Sequence, residues 1–234
     1  IYFSVNPSVF KDFVHTRYMK LHILRSCLLF ASLVALFSSL KFLPLPDVIS
    51  IAFTAPIFVI LLARPVLQES VPLHSWAAVV ISLLGTLIIL KPSGSAMMHW
   101  SLTLPIISAI CSAGFFITTR MLANKDRDVV VLYSTSFFGL IWSTLLVPFF
   151  WNTPTGEQWL FFLTIGFLGA VAHLLIILAF ANAPAPVLAP YMYVRLVWTV
   201  IFGYFAFNEL ISLQTAVGAA FIIASCLYLL RLER

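Results

Sequence analysis

Charge is what this sequence has least of. Only 9% of its 234 residues are Asp, Glu, Lys or Arg, and just eight are acidic, whereas a soluble domain carries roughly 25% charged residues. Such a chain cannot clothe a water-facing surface, which excludes a soluble globular domain. Cysteine is also sparse: Cys27, Cys111 and Cys226 are odd in number and each falls inside an apolar run, which suits small buried side chains better than a disulfide framework. Catalytic signatures are missing too, because no G-x-S-x-G, H-E-x-x-H, Cys–His cluster or phosphate-cradling glycine loop occurs. No enzyme activity, cofactor or metal is expected.

What is present is hydrophobicity, 62% of the residues, at a mean hydropathy of +1.07. Apolar runs near the roughly 20 residues that cross a bilayer recur along the chain and predict eight spans, at about 22–41, 46–65, 75–91, 102–121, 129–150, 159–180, 187–207 and 213–231. If the connections alternate sides, one side receives Lys11, Arg17, Lys20, Arg25, Arg64, Arg120, Lys125, Arg127, Arg231 and Arg234. The other receives Lys41 and Lys91, and Arg195 stays within a span. Cations collect in cytoplasmic loops, so the C-terminus is expected in the cytoplasm. The net charge of +5 then reports orientation, and no nucleic-acid partner is expected.

Two stretches match without a gap at an offset of 140 residues, "PLPDVISIAFTAPIFVILLARPVLQESVPL" from Pro44 and "PAPVLAPYMYVRLVWTVIFGYFAFNELISL" from Pro184. Each has a P-x-P opening, a span, a Glu (Glu69, Glu209), a Leu and a closing span. The matched spans lie an odd number of crossings apart, so the repeat is inverted, an architecture typical of transporters with the solute site near the midplane. The last three spans correspond to the first three, while the fourth and fifth have counterparts only before residue 22. A ten-helix protein of two five-helix units is therefore expected, with its beginning missing: 1–91 is an incomplete first unit, 92–101 a linker and 102–234 a complete second unit.

These residues resemble the EamA branch of the drug/metabolite transporter superfamily. The resemblance is carried by "LRSCLLFASLVALFSSLKFLPLPDVISIAFTAPIFVILLARPVLQESV" through "ISLLGTLIILKPSG", and by "AFANAPAPVLAPYMYVRLVWTVIFGYFAFNEL". It departs where the residue before the loop Glu, commonly Gly in the family, is Gln68 or Asn208, and where the second unit has no Pro aligned with Pro56. The resemblance implies alternating-access transport of a small organic metabolite across a bacterial inner (plasma) membrane, with a homodimer allowed. S-adenosylmethionine, amino acid or nucleoside-like solutes are the expected cargo. The competing class is an intramembrane enzyme or scaffold acting on lipid-linked substrates.

Within the spans, Arg195 lies about eight residues into the seventh, hence about 12 Å deep. At that depth an arginine is costly unless it meets an anion in a wet interior. It is read as a contact for a solute carboxylate or phosphate, against a structural pairing with backbone carbonyls. His173 is expected at a similar level, as a solute ligand, a proton-coupling group or a satisfied interhelical hydrogen-bonder. Tyr191 and Trp198 share a helix face with Arg195 and could stack on a planar solute or belong to an interfacial belt, while Tyr193 points elsewhere. Pro56 and Pro190 free carbonyls and permit a kink or gate. Glu69 and Glu209 are read as helix caps, gate contacts or solvated loop acids. The small residues of "SAICSAGFF" and the pair Gly166 and Ala170 are expected to let helices approach closely.

Overall fold

The computed structural model describes residues 7–92, 100–207 and 212–232. The regular structure of these residues is helical: α1 (Pro7–Val14), α2 (Met19–Ser39), α3 (Leu45–Ala52), α4 (Ala55–Leu62), α5 (Leu73–Leu90), α6 (Thr103–Leu122), α7 (Asp128–Phe150), α8 (Gly156–Asn182), α9 (Ala185–Leu188), α10 (Val194–Phe207) and α11 (Leu213–Leu232). Short π and 3-10 turns extend α4 (Ala63–Leu67) and join α9 to α10 (Pro190–Tyr193). Eight of the resulting rods are long and apolar enough to cross a membrane, and they fall on the eight spans read from the sequence. The physical reason is that backbone in lipid must satisfy its own N–H and C=O groups, which one helix does unaided.

The chain forms two compact lobes, Ile1–Phe30 with Thr118–Ala183, and Ala31–Ile117 with Pro184–Arg234. In the first lobe, Val9 and Phe13 pack on Val130, with Tyr133 and Phe138 beside them, while Leu122, Val131 and Ile177 make a second cluster. Arg25, counted above with the loop cations, lies inside α2 and is fully buried. The composition does not separate it from the loop cations, because His22 and Arg25 make the first two turns of α2 as polar as a loop. Gly166, expected with Ala170 to let helices approach, departs from that expectation: a Cβ built on it, or on neighbouring Gly169, meets nothing within 4 Å among the described residues. No helix closes on them, and they border a cleft instead.

In the second lobe the close approach is between α5 and α11. Cβ atoms built on Gly85 and Gly218 would lie 2.6 and 2.5 Å from each other's carbonyl oxygens, and Ser82 and Ser225 share a hydroxyl hydrogen bond. Residue 85 meets 218 while 82 meets 225, so these helices run antiparallel. They are the closing helices of the two matched stretches, and both stretches start in register: α3 and α9 at Leu45 and Ala185, α5 and α11 at Leu73 and Leu213, each 140 apart. An antiparallel pair of equivalent helices is what an inverted repeat requires. Ser108 and Ser112 both face Ser32, with Ser32 Oγ 2.7 Å from Ser112 Oγ and 3.0 Å from the Ser108 carbonyl, to which it donates. The small residues of "SAICSAGFF" thus admit a polar helix contact.

Both matched spans break at the same register. α3 ends at Ala52 and α4 restarts at Ala55, with Pro56 in its first turn. The partner span breaks around Pro190–Tyr193. Proline at the restart removes an N–H and crowds the preceding turn, and Thr54 Oγ1 occupies the Ile51 carbonyl at 2.6 Å. After α4, Gln68 adopts φ 58°, ψ 25°, a left-handed conformation that costs a side-chain-bearing residue about 1–2 kcal/mol. A glycine, which the resemblance above implies at this position, would adopt that conformation without the cost. Gln68→Gly is expected to raise stability by about 1 kcal/mol, readable as a higher midpoint of thermal unfolding in detergent; an unchanged or lower midpoint would refute the strain argument.

Candidate functional site

In the second lobe an arginine, a phenylalanine and a tyrosine meet at the helix break. Phe53, the residue after α3, is 4% exposed. The guanidinium of Arg195 lies over its ring, 4.3 Å from the centroid. The ring of Tyr193 stacks on the same residue at 5.7 Å with 17° between planes. Phe53 and Tyr193 are 140 apart, so equivalent positions of the repeat touch each other. The Tyr193 hydroxyl is buried and has no hydrogen-bond partner among the described residues.

Arg195 is exposed, and no carboxylate of the described residues pairs with it. A guanidinium lying on an aromatic face keeps its N–H donors directed outward in its own plane. Those donors form a fork that matches a carboxylate or phosphate. Packing on buried Phe53 fixes the fork's orientation, so less entropy is lost when an anion arrives. Sequence alone marks Arg195 as a cation within a span and aligns Phe53 with Tyr193 at the 140-residue offset; that the two rings stack and that Arg195 lies over Phe53 are decided by the structure.

The other candidates surround this cluster or lie apart from it. Tyr191 donates its hydroxyl to the Cys226 carbonyl at 3.3 Å, which ties the break to α11. Pro190 begins that break, and its carbonyl accepts from Cys226 Sγ at 3.7 Å. Trp198 is exposed, and its ring meets Phe202 at 6.2 Å. Glu69 Oε2 accepts from the Ala185 N–H at 2.8 Å. Ala185 opens the span that carries Arg195, and a carboxylate there satisfies an orphan donor and complements the helix dipole. Pro56 stands at the restart of α4, and Glu209 lies outside the described residues.

His173 belongs to the first lobe. There it borders a cleft of about 230 Å³ together with Thr135 and Ser136 of α7 and Gly166, Gly169 and Ala170 of α8. Behind that cleft runs a polar chain that the sequence reading missed. Arg25 donates from Nε to Thr119 Oγ1 at 2.8 Å and from Nη1 to the Val131 carbonyl at 3.2 Å. Nη1 also bonds Thr135 Oγ1. Arg120 donates to the Phe180 carbonyl at 2.6 Å, and His22 joins Asp126 and Ser134. The available signal was the spacing of His22 and Arg25, three apart and hence on one helix face.

Comparison with known proteins agrees with this architecture. Residues 8–91 and 99–231 match the EamA-like transporter family, one match on each half of the chain. An S-adenosylmethionine uptake transporter of Rickettsia bellii is 28% identical over 213 residues, 91% of this chain and 73% of the relative. A riboflavin transporter of Brucella anthropi is 31% identical over 228 residues, 93% of this chain and 78% of the relative. A crystal structure at 16% identity aligns with a TM-score of 0.74 over 97% of this chain and 93% of its own, and speaks for the fold alone. With both halves matched and eight membrane spans in place, the chain belongs to the EamA-like transporter family.

Proposed function

We propose that this membrane transporter carries a small organic solute bearing a carboxylate or phosphate, bound by Arg195 in the second lobe and moved by alternating access. The observation that carries the reading is the guanidinium of Arg195, set over the ring of buried Phe53 with no carboxylate partner among the described residues. An arginine within a membrane span is costly unless it meets an anion, a wet cavity or backbone acceptors; Arg25 has hydroxyl and carbonyl acceptors, whereas Arg195 has no carboxylate partner among the described residues. Tyr191 and Trp198 are the aromatic contacts of the solute, and His173 is a separate solute contact on the cleft of its own lobe. Pro56 and Pro190 mark the points where the spans bend, with Glu69 and Glu209 as gate contacts. The two halves are 1–91 and 102–234, joined by 92–101, with the C-terminus on the cytoplasmic side of a bacterial inner membrane. A homodimer fits this assignment.

Of the two solutes named for the relatives, S-adenosylmethionine carries a carboxylate and riboflavin does not. The guanidinium fork therefore favours the S-adenosylmethionine class, with amino acid and nucleoside-like acids beside it. The test is uptake into proteoliposomes holding the purified protein, with labelled S-adenosylmethionine and riboflavin as probes. Saturable uptake of S-adenosylmethionine, competed by amino acids but not by their amides, is expected. Riboflavin uptake alone, or competition indifferent to the carboxylate, would overturn the anion reading.

A further inference from the structure

His22 sits in the first turn of α2 with no exposed side-chain surface, yet both of its ring nitrogens are engaged. Nε2 lies 2.8 Å from Asp126 Oδ2, and Nδ1 lies 2.7 Å from Ser134 Oγ. Asp126 comes from the loop between α6 and α7, also accepts from Thr16 Oγ1 at 2.6 Å, and keeps 16% of its side chain exposed. The carboxylate therefore touches both the buried ring and the outside of the lobe.

Ser134 makes the ring unusual. Its single hydroxyl hydrogen has two acceptors, His22 Nδ1 and the Val131 carbonyl at 2.8 Å. With the hydrogen on Nδ1, the imidazole is neutral, and its one N–H, on Nε2, donates to Asp126. With the hydrogen turned to Val131, the Ser134 oxygen is free to accept, so Nδ1 can carry a proton and the imidazolium donates from both nitrogens. The Val131 carbonyl loses nothing in the first state, because Thr135 Oγ1 at 2.8 Å and Arg25 Nη1 at 3.2 Å both donate to it. A buried imidazole built for one charge state pays for the other with an unsatisfied group. Here both states are satisfied, and one hydroxyl rotation separates them.

We infer that the His22–Asp126–Ser134 chain is a proton-binding site of this transporter and couples solute movement to a proton gradient. The proton added ends on Nδ1, Asp126 stays a carboxylate, and the Ser134 hydrogen turns from Nδ1 to the Val131 carbonyl. The charged groups facing the ring are Asp126 from the α6–α7 loop and Arg25 from its own helix, with Ser134 from α7 and Thr16 ahead of α2 as polar neighbours. His173 of α8 lies within electrostatic reach of Arg25. The three ionic groups sum to zero when the site is empty and to one positive charge when it is loaded. Only the coupling clause rests on the transport reading above; proton binding does not.

The experiment is nitrogen NMR of the protein in lipid nanodiscs with ring-labelled histidine, His22 being assigned among the five histidines by its loss in His22→Gln. Between about pH 4 and pH 9, the His22 ring is expected to pass from the Nε2–H tautomer to the doubly protonated form in one step. Ser134→Ala and Asp126→Asn should each change its proton affinity at least about tenfold, one pH unit in the midpoint. A ring locked in one state, or a step indifferent to both substitutions, overturns the site. Coupling is read as pH-gradient-driven accumulation of whichever probe, S-adenosylmethionine or riboflavin, the wild type carries. His22→Gln should cut it at least about tenfold, and undiminished accumulation overturns the coupling. If the wild type carries neither probe, the solute assignment falls while the NMR result still decides the proton site.

Discussion

Replacing Arg195 with alanine is expected to abolish nearly all saturable uptake of an anionic solute while leaving the protein folded. The guanidinium accepts no carboxylate partner among the described residues and lies on one face of Phe53, so its removal breaks no internal ion pair and costs only a cation–π contact of about 0.5–2 kcal/mol. Its contacts to a bound anion are a different matter. Hydrogen bonds to charged groups contribute about 1.5–3 kcal/mol, equivalent to roughly ten- to hundred-fold in affinity. Arg195→Lys should fall between wild type and alanine, because lysine keeps the charge but loses the planar fork and its seat on the ring. Phe53→Leu tests that seat: with the charge intact and the orientation freed, the apparent affinity should weaken while the maximal rate holds. Initial uptake rates against solute concentration measure all three. Wild-type affinity in Arg195→Ala would remove the residue from the solute site.

Gly218→Ala is expected to be the most damaging single-methyl change in the described part of the second lobe. The added Cβ would stand 2.5 Å from the Gly85 carbonyl oxygen and 2.6 Å from Ile89 Cγ1. The first obstacle is backbone and cannot swing aside, so α5 and α11 must separate. Separation also stretches the Ser82–Ser225 hydrogen bond. Overpacking of this kind costs about 1–3 kcal/mol, and between membrane helices no hydrophobic drive compensates, because lipid tails solvate apolar side chains as well as a neighbouring helix does. Gly85→Ala meets the mirror obstacle at 2.6 Å from the Gly218 oxygen and should behave alike, whereas Gly166→Ala and Gly169→Ala, with open space around them, should leave stability unchanged. Thermal unfolding in detergent ranks the four variants. Equal midpoints for all would refute close packing at the crossing.

The contrast among glycines shows what local pattern can and cannot carry. Gly166 and Ala170 have the spacing of a helix-packing motif, yet that face borders a cleft. The tight crossing occurs at Gly85 and Gly218, which carry no such spacing within their own helices. Spacing reports which residues share a face, and contact needs a second face in register.

The sequence by itself determined the membrane class, the eight helical spans and the repeat. Those properties follow from one-dimensional quantities: the length of apolar runs, the bilayer's demand for internal backbone hydrogen bonds and the 140-residue offset of the matched stretches. Membership in a transporter family followed from the same residues. Only the tertiary structure decided that Phe53 lies under Arg195, that Glu69 caps the helix beginning at Ala185, and that His22, Arg25, Asp126 and Ser134 form one buried chain. Each of these joins residues far apart in sequence, through side-chain distances of a few ångströms that hydropathy does not encode. Arg25 is the sharpest instance, since a cation near a helix end has the same composition whether it faces water or three hydrogen-bonding neighbours, and only packing tells the two apart.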